Sequence, residues 1–351
     1  MQPNNPIDYS EGRQARVAVV SYDSLGDSLL YILLAYNLQK NNFDVRYFGN
    51  IGYQLSEWLP SLKMLPYPDF NTMDETLAQY DLVFLSPPGS LRNKMASDQA
   101  YLQHLKQQYL LICQKVPLSW NYNHYERLKQ LLSPALFELL KDLVQASGSI
   151  RFRQFKEESA VDILLIYMRE KLKLSILTRT VPLIPPPYLN NKRFAKRIIV
   201  SPDSAGPEDK NWGKQQFLSL CGELKSKGYA PKIVVSPSNH KEWQLLSKGE
   251  FETPLFEDIG HLAAYIYESA AVVANDSGNG HLASFLGVPI VTIYKKRNPK
   301  FHWRPSWSAG KVVCPQLVVK FFGFRLWRPF VSVKMVQTAL LEVLSSGQQS
   351  S

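Results

Sequence analysis

The 351-residue chain has only three cysteines, Cys113, Cys221 and Cys314, which are far apart and include no CxxC pair. An odd, dispersed set of this kind excludes a disulfide framework and a structural zinc site, and such cysteines usually behave as plain buried residues. Long apolar runs are missing as well. The longest, Leu29–Tyr36, falls far below the ~20 residues needed to cross a bilayer. The opening MQPNNPIDYSEGRQAR contains no apolar leader core, so a cytoplasmic protein is expected. Several motifs are also absent. There is no GxGxxG after the first apolar run and no GxxxxGK[ST], which removes support for dinucleotide and P-loop binding. No Asp-x-Asp pair is available to hold a divalent metal on a nucleotide diphosphate, and no HExxH or GxSxG occurs. No internal repeat is found, and low complexity is confined to the SSGQQSS tail.

What is present describes a globular protein. Hydrophobic residues make up 45% and charged residues 20%, and at roughly 150 residues per domain the length suggests two domains. Forty Lys and Arg against thirty Asp and Glu leave a formal charge of +10, which favours anionic partners. Nucleotide phosphates, nucleic acid and an anionic membrane face all satisfy that charge.

The hydrophobic period alternates between strand and helix. Arg16–Tyr22 is a β-branched run suited to a buried parallel strand, and Asp27–Gln39 has helical spacing. Asp44–Phe48, Asp81–Ser86 and the weaker Leu110–Cys113 read as further strands. Residues from about His124 to Leu177 read as helices. One of them sets Arg169, Lys171 and Lys173 beside Leu164, Leu165 and Met168, either a solvated face or a surface for an acidic or membrane-bound acceptor. The stretch from Val181 to Arg193 is the most proline-dense in the chain and suits a stiff connector.

The alternation then restarts. Strands are expected at Arg197–Ser201, Lys232–Val235, Ala271–Ala274 and Pro289–Tyr294, with helices at Lys214–Lys227, Asn239–Ser247, near His261–Ser269 and at Gly278–Leu286. The predicted fold class is therefore α/β, with two Rossmann-like α/β/α domains facing a central cleft. The expected division is residues 1–183, a proline-rich linker at 184–193, and residues 194–351 ending in a helix.

The chemistry concentrates in ANDSGNGHLASFLGVP, Ala274–Pro289. Asp276 and Ser277 close an apolar strand, Gly278 and Gly280 leave room for a ligand, Asn279 lies between them, and His281 lies one turn into the helix. Free amides at such a helix start attract phosphate. Residue by residue, the same string also reads as a capping aspartate, two turn glycines and a satisfied histidine.

NDSGNGHLASFLGVPIVTIY resembles the signature of glycosyltransferase family 9, the ADP-heptose:lipopolysaccharide heptosyltransferases. PEDKNWGKQQF, Pro207–Phe217, is similar to the family's Lys-x-Trp segment, and VVSYDSLGDSL, Val19–Leu29, to its first-strand loop ending in Gly-Asp. SVKMVQTALLEVL resembles the closing helix. The resemblance implies a GT-B fold and an inverting glycosyltransferase that needs no metal and no cofactor. A nucleotide diphospho-sugar, expected to be ADP-linked heptose, would be the donor and a lipopolysaccharide-type, lipid-linked saccharide the acceptor. The source would then be bacterial, with peripheral contact at the inner membrane face expected and no nucleic-acid partner.

Under this resemblance Asp27 is the general base, although as a residue it is also a candidate N-cap, and Asp23 is the alternative base. Lys210 would stabilise the departing diphosphate. Substrate-binding residues would be Gly26, Ser201, Ser204, Glu242, Asp276, Ser277, Gly278, Asn279, Gly280, His281 and Lys295. Asp276 would bind sugar hydroxyls or orient the glycine loop. Glu242, in the loop Ser236–Glu242, would accept from ribose hydroxyls or simply begin a helix.

Two departures from the family pattern stand out. The usual Phe/Tyr-Gly-Pro-Thr-x-Pro loop is replaced by Tyr294-Lys295-Lys296-Arg297-Asn298-Pro299, and Gly213 stands where proline usually follows Lys-x-Trp. Lys295–Pro305 interleaves basic and aromatic residues, and Val318–Phe330 combines aromatics and arginines in a composition that suits a membrane interface as well as a core edge. Alternative readings are a nucleotide-sugar epimerase or hydrolase of the same architecture, and a binding protein that has lost activity.

Overall fold

The computed structural model describes residues 14–21, 24–69, 71–85, 109–111, 129, 134–145, 155, 158–204, 208–295, 304–308, 310–321 and 324–348. Its frame is two five-stranded parallel sheets. The first comprises β1 (Arg16–Val20), β2 (Asp44–Phe48), β3 (Lys63–Leu65), β4 (Leu82–Leu85) and β5 (Tyr109–Leu111) in the order β3-β2-β1-β4-β5. Val17–Val20 are fully buried, as a central strand covered on both faces requires. The helices of this half are α1 (Leu25–Lys40), α2 (Asn50–Tyr53), α3 (Met73–Leu77), α4 (Pro134–Gln145) and α5 (Ala160–Glu170).

The second sheet comprises β6 (Phe194–Ser201), β7 (Ala230–Ile233), β8 (Ser269–Asn275), β9 (Ile290–Ile293) and β10 (Gly310–Val313) in the order β10-β9-β8-β6-β7. Its helices are α6 (Lys214–Ser226), α7 (Pro237–Leu246), α8 (Ile259–Tyr267) and α9 (Gly278–Phe285). A hairpin of β11 (Val319–Phe321) and β12 (Phe324–Leu326) leads to α10 (Val333–Gln348), which packs on β9, β10 and α6. In both sheets the chain reverses its winding beside the first strand, between β1 and β4 and between β6 and β8. Ligands of open α/β sheets collect beyond the strand ends at such points. Among the described residues no helix is long and apolar enough to cross a membrane.

The two halves share a core. Alternate residues of the second sheet split between two apolar clusters: Ile198, Val200, Ala271 and Val273 join the outer one, whereas Ile199, Val272 and Ala274 join one that runs on through α9 into α1, β1 and α5. Cys221 lies in the outer cluster, where burial pushes its thiol up to about 12. Cys113 lies outside the described residues.

Boundaries shift where local chemistry outweighs hydrophobic period. Helix α1 starts at Leu25, two residues before the expected Asp27, because extended Ser24 caps it by accepting from the Asp27 amide. Asp27 is therefore not the N-cap. Strand β7 begins at Ala230, two residues early, and contains Pro231, which an edge strand tolerates. Helix α7 begins at Pro237, so most of the expected loop Ser236–Glu242 is helical and Glu242 sits mid-helix. Ser269 belongs to β8 rather than to the preceding helix.

Helix α1 also holds the chain that approaches the proline-rich segment. Fully buried Asn37 donates to the Thr178 carbonyl (3.0 Å) and accepts from the Thr178 amide (2.8 Å), while Asn41 accepts from the amides of Ser175 and Ile176. Replacing Asn37 with alanine strands both Thr178 backbone groups, so Asn37→Ala is expected to lower stability by about 1–3 kcal/mol. Urea denaturation followed by circular dichroism will read this as a lower midpoint.

Candidate functional site

The β1–α1 turn and the start of α9 come from opposite lobes and meet directly. A methyl group added to Gly26 would lie 3.4 Å from His281 Cδ2, and one added to Gly278 would lie 2.9 Å from Leu25 Cβ. The absent side chain at Gly278 therefore allows Leu25 to pack on the start of α9, while Gly26 has room for a methyl at ordinary contact distance. Asp27 stands beside this contact, half-buried, with its Oδ2 2.6 Å from the Ser24 hydroxyl that donates to it. Buried His281 stacks edge-on against Trp307, with centroids 6.0 Å apart. Asp23 lies outside the described residues.

The strand ends of the second sheet organise the facing wall. Ser201 at the end of β6 is fully buried, and its hydroxyl accepts from Asn279 Nδ2 (2.9 Å). Ser201 therefore anchors the α9 start from below, instead of presenting its hydroxyl on an open loop. At the end of β8, Asn275 donates to the Pro202 carbonyl and accepts from the Trp212 amide (3.0 Å). One buried side chain thus joins the loops after β6, β8 and before α6. Period alone gives no sign of it; an asparagine closing an all-apolar strand is the available signal. The Ser277 hydroxyl is buried and has no hydrogen-bond partner among the described residues, and it sits with Gly278, Asn279 and Gly280 at a helix start, where free amides and dipole favour an anion.

Three lysines of this lobe each lie beside a carboxylate, one of them next to that helix start. Lys210 Nζ lies 3.5 Å from Asp276 Oδ2, Lys295 pairs with Asp209, and Lys214 pairs with Glu242. The hydrogen bond from Lys295 holds the Asp209 carboxyl below its usual range, with Arg328 and Lys210 nearby. Buried Tyr294, not picked out by sequence, faces Asp276. Burial first and the Asp276 carboxylate second raise its phenol well above the ordinary value.

Next to these residues lies a polar cavity of about 280 Å³ lined by residues including Asp203, Ser204, Asn211, Lys214, Glu242 and Arg328. Its floor is tied together: Ser204 donates to Asn211 (2.6 Å), and Asp203 accepts from the Ser236 amide and hydroxyl (2.8 and 2.9 Å). Ser204 and Glu242 thus share this cavity, whereas Gly26 and Leu25 meet Gly278 and His281 at the interlobe contact, with Asp27 next in sequence on one side and Asp276, Ser277, Asn279 and Gly280 around the other. Lys296–Trp303, the core of the basic-aromatic loop, lie outside the described residues.

Residues 108–316 match the family model described as glycosyltransferase family 9 (heptosyltransferase). Among solved structures, a glycosyl transferase family 9 protein from Veillonella parvula is 18% identical with a TM-score of 0.61, covering 97% of this chain and 100% of its own. An ADP-heptose lipopolysaccharide heptosyltransferase II from E. coli is 15% identical with a TM-score of 0.65, covering 95% and 99%. The E. coli heptosyltransferase WaaC with ADP is 16% identical with a TM-score of 0.58, covering 93% and 99%. These likenesses establish the GT-B fold. No curated protein sequence matches the chain.

The two glycines of the interlobe contact should respond oppositely to a methyl group. Gly278→Ala drives a carbon into Leu25 Cβ and is expected to cost about 1–3 kcal/mol through overpacking. Gly26→Ala meets the His281 ring at 3.4 Å and improves helix propensity by about 1 kcal/mol, so its midpoint should hold or rise. Parallel urea titrations of the two variants will check the sign of the difference.

Proposed function

The chain belongs to glycosyltransferase family 9 and is a glycosyltransferase; from that premise we propose an inverting, metal-independent transfer of heptose from an ADP-linked donor to a lipopolysaccharide-type saccharide. Residues 1–183 would form the acceptor lobe and 194–351 the donor lobe, joined at 184–193. The observation that supports this reading is the direct meeting of the β1–α1 turn, in which Asp27 follows Gly26, with the start of α9, where the Ser277–Gly280 amides lie.

In this reading the donor nucleotide occupies the cavity of the second lobe, with Glu242 accepting from ribose hydroxyls and Ser204 among the residues that line it. The diphosphate lies against the amides of Ser277–Gly280. Lys210 and Lys295 neutralise it, and Asp276 binds the sugar or orients the glycine loop. The acceptor hydroxyl attacks the anomeric carbon from the first-lobe side. As that C–O bond forms, the bond to the diphosphate breaks and the acceptor proton passes to Asp27. Its hydrogen bond from Ser24 aims the carboxylate.

Side chains and backbone amides supply the counter-charge that the leaving group needs. The Lys210–Asp276 contact is long and partly exposed, and such pairs contribute only about 0–1 kcal/mol, so phosphate can displace the carboxylate from the lysine at little cost. The ADP carried by the WaaC structure supports an adenine nucleotide. Contact with the inner membrane face, where a lipid-linked acceptor would reside, completes the proposal.

Radiolabelled transfer from ADP-heptose will test it. Asp27→Asn is expected to lower kcat by about 10²–10⁴-fold with donor Kd little changed. Lys210→Ala is expected to lower kcat/KM by about 10²–10³-fold. EDTA should leave the rate unaltered, and ADP should raise the melting midpoint more than UDP or GDP does. Donor consumed without acceptor would favour a hydrolase or epimerase, and near-normal turnover by Asp27→Asn would remove the assigned base.

A further inference from the structure

Val318–Phe330 has a composition suited to a membrane interface as well as a core edge, and after the hairpin its Trp327 turns inward. Trp327 is 2% exposed, and its indole Nε1 donates to the Asp209 carbonyl (3.0 Å). The next residue, Arg328, donates from Nε to the Asn211 carbonyl (2.8 Å). These two carbonyls flank Lys210 on either side. The clasp is returned from the other strand of chain, where the buried Trp212 indole donates to the Val331 carbonyl (2.9 Å). Residues more than a hundred positions apart thus grip each other through three side-chain-to-backbone bonds.

The loop so held is also tied through Ser204 to Asn211, Asn275 to the Trp212 amide and Lys295 to Asp209, but it is not part of a sheet or a long helix. Glu208–Lys210 is a single 3-10 turn outside both sheets, and the side chains of Asp209 and Lys210 are 64% and 44% exposed. A lysine on such a turn, with a flexible four-carbon stem, has a position only as definite as its backbone. Arg328 meanwhile lines the cavity and adds positive charge near Asp209.

We propose that Trp327 and Arg328 are positioning residues that clamp the Asp209–Asn211 backbone and so hold Lys210 at the donor-phosphate side of the cleft. The inference rests on the catalytic role given above to Lys210. Trp327→Phe deletes the indole donor and keeps most of the ring, and Arg328→Lys keeps the charge and loses the Nε bond.

Two measurements on the full-length protein separate the outcomes. Amide hydrogen exchange in residues 208–213 is expected to quicken in Trp327→Phe while residues 278–285 stay unchanged. In transfer assays, Trp327→Phe and Arg328→Lys are each expected to lower kcat by about tenfold, since small misplacements of a catalytic group are costly, with acceptor KM constant. In a Lys210→Ala background the same substitutions should change kcat by less than about twofold, because coupled residues are not additive. Unchanged exchange at 208–213, or an equal loss of kcat in both backgrounds, would overturn the clamp. Faster exchange combined with a silent Lys210→Ala would instead overturn the role of Lys210, and the clamp as a catalytic device with it.

Discussion

The architecture depends on two helix starts meeting through a side chain of one packed on a glycine of the other. Leu25 and Gly26 begin α1, Gly278 begins α9, and the backbones approach until a single methyl at Gly278 would collide with Leu25. Because α1 and α9 also share one apolar cluster, this approach belongs to the core as well as to a cleft edge. The lobes are thus held face to face by burial. Close packing makes such an interface sensitive to added volume.

Electrostatics in the cleft follow a single pattern. Lys210, Lys214 and Lys295 each rest beside a carboxylate, Asp276, Glu242 and Asp209 respectively. Partly exposed pairs of this kind contribute little to stability, so each cation can exchange its carboxylate for another anion at small cost. A diphosphate carries enough charge to replace those carboxylates as the counter-ion. The chain's surplus of ten positive charges gives such a ligand a favourable long-range field.

Much of this was legible in the sequence, for physical reasons. Buried parallel strands such as Arg16–Val20 and Ser269–Asn275 are continuous apolar runs, so period and composition locate them, and the glycine-rich turn after Asn275 stands out by its residues. What stayed hidden was held by tertiary contact. Strands β3 and β10 are edge elements of three and four residues with exposed positions, too short to produce a period. The start of α1 was displaced because a serine cap outranked a glycine-aspartate turn. Ser201 was expected to meet substrate and Trp327 lay in a segment that suited a membrane interface as well as a core edge, and each is buried against a distant partner. Asn275 escaped notice because its function is to join three loops that are remote in sequence.

One consequence follows from the sixteen-residue length of α1, about 24 Å at 1.5 Å per residue. Its front end carries Asp27, and its rear carries Asn37 and Asn41, which grip the chain just before the proline-rich connector. A single stiff rod therefore links the chain that enters the proline-rich segment to Asp27, so the placement of one bears on the placement of the other.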